Sequence, residues 1–352
     1  MMNMKKIFTA IDRIMEASDP YYGMFPSMLD RDTGFMLTEK PEKIPGQRDG
    51  DRAMLGCNLI HDQPLLRMMN ALSAMPGKET YTKAVNRYLR RFATHCTDTV
   101  TGLFPWGEHS YWNLVDDCIG STKGAGNAIH DHLRKVPVWI WEKLAEYNPQ
   151  CIQRFADGIE YHWVDCEPRE YIRHAPIEKK ERYKQGGRSG DFRRHSGLYL
   201  IDLAFAYSKE QRSETVDRIQ ILLDYWWQKK DKHGLLQIES RSPVGAEAFY
   251  QKLNPPQTIS LAVSLLDAGD VIEETDAKIA ATMRERGIAY LNGLFVGSCM
   301  MHTYEVTERM TIWAASTAVR SPAALRLCVL RHLEKSMTAG IWNGLKPRAV
   351  RT

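Results

Sequence analysis

The sequence predicts an all-α protein built from antiparallel helical hairpins. Three observations lead there: apolar residues recur with helical period over most of the chain, Gly- and Pro-rich breaks separate those stretches, and hardly any run alternates with period two for more than a few residues. FTAIDRIMEA forms a short first helix. QPLLRMMNALSAM and TYTKAVNRYLRRFATHC pair across PGKE, and KVPVWIWEKLAEY and QCIQRFADGIEYHW pair across Asn148-Pro149. SGLYLIDLAFAYS with SETVDRIQILLDYWWQKK, then TISLAVSLLDAGD with DAKIAATMRERGIAYLNGLF, continue the series.

The bulk numbers exclude several classes. A chain of 352 residues has ample material for a core. A formal charge of +4 leaves no nucleic-acid footprint in the total. Asp12, Arg13 and Glu16 interrupt any leader-like apolar run, and no stretch approaches the roughly 20 apolar residues of a membrane span. Seven cysteines (Cys57, Cys96, Cys118, Cys151, Cys166, Cys299, Cys328) are spread without a CxxC pair. They read as reduced thiols and give a cytoplasmic expectation, with no membrane and no nucleic-acid partner.

Some helix exits repeat. RDTGFM, TDTVTGLF and KDKHGLLQ each carry an Asp (Asp32, Asp98, Asp231) followed by Gly and a large apolar residue (Gly34-Phe35, Gly102-Leu103, Gly234-Leu235). The physical sense is a helix stopped by polar residues, a turn through glycine, and an apolar residue tucked onto the core. Copies following hairpins point to a repeated unit.

With these exits and the tryptophan-rich stretch GLFPWGEHSYW, the chain resembles the six-hairpin glycosidases and the related (α/α) toroid polysaccharide lyases over roughly residues 50–295. Within that superfamily it most resembles the bacterial uronic-acid-releasing glycosidases. The resemblance implies one (α/α)6-type toroid catalytic domain over 1–352; such a ring needs about twelve helices and the chain shows nine or ten, so either the ring is incomplete at its C-terminal end or the basic, poorly patterned residues 315–352 do not belong to the fold. It also implies a glucuronide-type acidic oligosaccharide as substrate, cleaved by carboxylate acid/base catalysis; β-elimination by a His or Tyr base is the alternative, and a non-catalytic glycan-binding scaffold the second.

The polar residues that could serve this chemistry sit in loops. Trp106 and Trp112 are candidate stacking platforms for a pyranose ring, with His109 beside them. Glu108, flanked by indoles, is the candidate general acid, and Asp117, favoured over Asp116, the ionised second carboxylate. His132 and His195 are candidate bases. The segment His130-Asp131-His132 has an HxH spacing that suits metal, with Glu108 or His109 as further ligands, but a capping role for Asp131 before the next helix is the plainer account. No metal and no cofactor are expected. In the long basic loop 164–197, Arg193 at a helix start is the candidate uronate clamp. Arg52, Arg241 and Tyr250 are candidate rims of the same cleft.

Overall fold

The computed structural model describes residues 4–46, 52–106, 109–124, 126–131, 135–165, 170–183, 189–190, 193–230, 236 and 255–300. Among these, helices dominate, and each periodic stretch is a helix. The first, α1 (Met4–Ser18), runs into a 3-10 turn at Asp19–Tyr21, where Pro20 and the left-handed Tyr22 (φ 56°) stop it. Next, α2 (Leu59–Leu72) begins earlier than its apolar pattern alone suggests, because Asn58 caps it by accepting from the His61 amide. Its partner α3 (Glu79–Arg91) has Glu79 in its first turn and Arg90 and Arg91 in its last, as the helix dipole favours. The buried face of α3, Tyr81, Val85, Tyr88 and Leu89, recurs at helical spacing. A π-helical turn, Phe92–Cys96, ends it.

Two hairpins follow, α4 (Val138–Tyr147) with α5 (Pro149–Gly158), and α6 (Arg193–Lys209) with α7 (Ser213–Gln228). Pro149 opens α5 where its missing N–H costs nothing. Every residue of α6 from Ser196 to Ala206 is buried, so this helix is covered on all sides. It packs most extensively on α8 (Pro255–Ile272), which in turn packs on α9 (Ala277–Met300). Successive hairpins lie side by side, α3 on α4 and α5 on α6, as in the wall of an (α/α) toroid. Residues 301–352, with the tail set apart above, lie outside the described residues.

The repeated exit holds at one of its three places. Gly102 has φ +83°, and a Cβ there would lie 2.1 Å from the Arg154 carbonyl oxygen, so only glycine lets this exit rest on α5. Gly34 does not end a helical hairpin. It sits in a tight turn closing the Leu29–Met36 bridge, and the turn carboxylate is Asp30, not Asp32: Asp30 Oδ1 accepts from the amides of Asp32 and Thr33. Gly234 lies outside the described residues.

Among the described residues the loops build three small antiparallel sheets: β1 (Gly56–Cys57), β2 (Ser110–Asn113) and β3 (Cys118–Ser121) in that order; β4 (Ile129–His130) with β7 (Ala175–Pro176); and β5 (Trp163–Asp165), β6 (Glu170–Ile172) and β8 (Ser189–Gly190). In the first sheet the Tyr111 ring lies across both neighbours. A Cβ on Gly56 would stand 2.2 Å from it and one on Gly120 2.4 Å. Beneath the sheets sits an aromatic core of Phe92, Phe104, Trp106, Trp141, Phe155 and Phe205.

Candidate metal centre

The structure gathers a set of side chains that the sequence does not announce. His109, Asp131 and His174 each present one ligand atom, and these atoms all lie within 4.8 Å of one another. His109 stands at the entrance of β2, held by its carbonyl accepting from the Thr122 amide. Asp131 follows β4 and His174 precedes β7, and these strands pair as Ile129 with Pro176 and His130 with Ala175. That two-rung ladder sets Asp131 Oδ1 3.0 Å from His174 Nδ1. Asp131 is 1% exposed. A carboxylate so far from water demands cationic or hydrogen-bonding compensation. Two imidazoles and a carboxylate form the mixed N/O donor set that suits first-row divalent ions such as Mn, Fe or Zn, and three protein ligands leave positions for substrate. The residues present therefore fit such an ion. Arg173, next to His174, is exposed.

A buried hydrogen-bonded chain underlies this cluster. The Trp106 indole N–H donates to His130 Nε2 (3.0 Å), His130 Nδ1 meets His162 Nε2 (2.7 Å), and His162 Nδ1 meets the Ile172 carbonyl oxygen (2.8 Å).

The residues nominated from sequence fare unevenly. Trp106 is 1% exposed, with Phe104, Trp141 and Phe155 against its ring. It is core and presents no face to a sugar. Trp112 is also buried; its N–H donates to Asp117 Oδ1 at 2.9 Å and its ring meets His95 edge-on. Asp117 terminates the β2–β3 hairpin in a left-handed conformation (φ 50°), where Arg91 Nη2 reaches both its oxygens at 2.7 Å and His95 Nε2 one at 3.0 Å. Desolvation pushes its pKa up, but hydrogen bonds from Arg91 and Trp112 outweigh this and hold it below the usual carboxylate range. These bonds hold Asp117 at the hairpin tip. His109 is at the open end, four strand residues away or roughly 13 Å.

Arg193 is fully buried and donates to the Leu236 carbonyl, tying α6 to that segment. His195 is buried against the Tyr171 ring, with Arg194 Nη2 3.2 Å from its Nε2. Arg52 is buried and donates to the Pro41 carbonyl at 2.6 Å. Each of these three is engaged with the protein itself. Asp131 is not a helix cap, because α4 starts only at Val138, behind Pro137. Glu108, His132, Arg241 and Tyr250 lie outside the described residues. Of the nominated residues that are described, His109 joins the cluster, together with Asp131 from the His130-Asp131-His132 segment. His174, unnominated although it sits in the basic loop, carried one legible signal: a histidine directly before an Ala-Pro strand.

A family profile described as periplasmic pectate lyase matches residues 35–204, a span that holds all three cluster residues. This overturns the cytoplasmic expectation, since the matched family is described as periplasmic. Among the described residues, no helix is long and apolar enough to cross a membrane. A search of curated proteins finds no match. Among solved structures the chain is similar to the unsaturated glucuronyl hydrolase of Bacillus sp. GL1, described as responsible for glycosaminoglycan degradation, at 10% identity and a TM-score of 0.38. It is likewise similar to a UGL variant described with dGlcA-Glc-Rha-Glc, at 9% identity and a TM-score of 0.40. Both likenesses cover 64% of this chain and 59% of the other. At those scores the fold rests on the chain's own elements.

Proposed function

We propose that this chain is a carbohydrate-active enzyme that cleaves a uronate-rich glycan of the pectate type by β-elimination. One observation carries the reading: His109, Asp131 and His174 converge within 4.8 Å, and Arg173, next to His174 in the chain, is exposed. β-Elimination requires the C5 proton of a uronate to be acidified by neutralising its carboxylate. A divalent ion held by His109, Asp131 and His174 would supply that positive charge when bound. Arg173 would hold the same carboxylate by a planar, bidentate contact and orient the ring. His132, next to Asp131 in the chain, remains the nominated proton acceptor. The name of the matched family supports the substrate class.

Elimination is favoured over hydrolysis because hydrolysis needs two carboxylates facing one bond. Of the nominated pair, Asp117 is committed to Arg91, His95 and Trp112. The test is to incubate the protein with polygalacturonate and with unsaturated glucuronyl disaccharides, before and after treatment with a chelator. Elimination gives an ultraviolet-absorbing unsaturated uronate and no mass gain of water, and chelation abolishes it. Mass gain of water without that absorbance would overturn the reading.

A further inference from the structure

We propose that His130 and His162 are positioning residues that set the geometry of the His109, Asp131 and His174 cluster through a hydrogen-bonded chain of fixed direction. An indole nitrogen can only donate, so His130 Nε2, 3.0 Å from Trp106 Nε1, is the acceptor. The proton of the neutral His130 ring is then on Nδ1, which donates to His162 Nε2 at 2.7 Å. That nitrogen is in turn an acceptor, which places the His162 proton on Nδ1, donating to the Ile172 carbonyl at 2.8 Å. One tryptophan thus dictates both tautomers, and each is the Nδ1–H form that an isolated neutral imidazole disfavours.

Two members of the relay fall on the two segments that bear ligands. His130 immediately precedes Asp131, and Ile172 lies two residues before His174. The β4–β7 ladder ties the same segments through two strand pairings, Ile129 to Pro176 and His130 to Ala175, with one further backbone bond beside them from the Ile177 amide to the Ala128 carbonyl. Pro176 has no N–H to contribute. So short a pairing fixes the backbone slide of Asp131 and His174 at few points, and the buried relay adds a side-chain constraint between the same segments. Its members are fully covered, His130 and His162 at 0% exposure and Trp106 at 1%, so water does not compete for the bonds. His162 comes from the 3-10 turn that ends α5 (Ile159–His162), so the relay also anchors the cluster to the hairpin wall.

The proposal rests on the metal reading only for what the cluster binds, and the test separates the two. In metal-free protein carrying 15N-histidine, both rings give Nδ1–H tautomer patterns. Trp106→Phe removes the donor and releases His130 from that tautomer. His162→Phe moves the ring signals of His174, whereas His162→Gln, whose amide offers an acceptor and a donor on one carbon, keeps them near those of the parent. Titration with Mn2+ then shows affinity falling by about 10–100-fold in His162→Phe, the range for lost supporting partners of metal ligands, and recovering in His162→Gln. An Nε2–H or cationic pattern on either ring at neutral pH overturns the relay. Unmoved His174 signals in His162→Phe overturn the positioning role. If the parent binds no Mn2+ while His162→Phe still moves His174, the metal reading falls and the positioning role stands.

Discussion

Asp131 Oδ1 lies 3.0 Å from His174 Nδ1, and the two residues reach one another through a pair of two-residue strands from separate loops. Removing either partner leaves the other without the group it faces. For His174→Ala we expect loss of divalent-dependent activity and at least about 100-fold weaker Mn2+ binding, beyond what loss of a supporting partner costs. Calorimetric titration and the ultraviolet assay read the two effects. Retained Mn2+ affinity in this variant would remove the centre from the mechanism.

Trp106→Phe keeps most of the packing but withdraws the buried N–H that His130 Nε2 accepts. The expected cost is about 1–3 kcal/mol in denaturant unfolding. A sugar platform would predict the opposite pattern, with stability intact and substrate binding weakened.

Asp117→Asn tests whether that carboxylate is chemical or structural. Asparagine tolerates the left-handed backbone there, so only the charge is changed. We expect about 1 kcal/mol or less of lost stability, since Asp117 is partly exposed, with turnover near that of the parent. A hydrolase using Asp117 would lose nearly all its activity.

Asp62, in the first turn of α2, accepts from the Tyr88 hydroxyl at 2.7 Å. Desolvation raises its pKa from 3.8 to about 7, against the hydrogen bond from Tyr88, which lowers it. The folded state therefore keeps a proton that the unfolded chain releases. Its contribution to stability is full below about pH 4 and is lost as pH rises through about 7. Asp62→Asn, which still accepts from Tyr88, should flatten the dependence of Tm on pH between 5 and 8 and raise Tm at the alkaline end. An unchanged profile would show that Asp62 is not the group responsible.

Gly102→Ala forces a side chain into φ +83° and against the Arg154 carbonyl oxygen. The backbone conformation alone costs about 1–3 kcal/mol, and the contact adds to it. A denaturation midpoint equal to that of the parent would mean that the exit does not rest on α5.

The helices were legible because burying one face imposes a 3.6-residue period, which α3 shows in Tyr81, Val85, Tyr88 and Leu89. Gly102 was legible for a similar reason, as a helix stop with one steric solution. The cluster was not. His109, Asp131 and His174 stand in three loops with no common spacing, and they meet through pairings too short to leave an alternating pattern. The dense aromatic stretch misled because tryptophans that fill a core and tryptophans that stack on sugars have the same local composition. Only the Trp106 contacts with Phe104, Trp141 and Phe155 tell them apart. Asp131 was read as a cap because the next helix was placed too near; Pro137 delays its start.

The Tyr111 ring, laid between Gly56 and Gly120, amounts to a proofreading device for chain assembly. A strand that slips by one residue turns every side chain to the opposite face. Here a slip would bring a Cβ into the space the ring occupies, which penalises a misaligned hairpin. His109 stands two residues before Tyr111 and is indexed by the same lock: the ring that rejects wrong alignments also ensures that this imidazole emerges on the side where Asp131 and His174 wait.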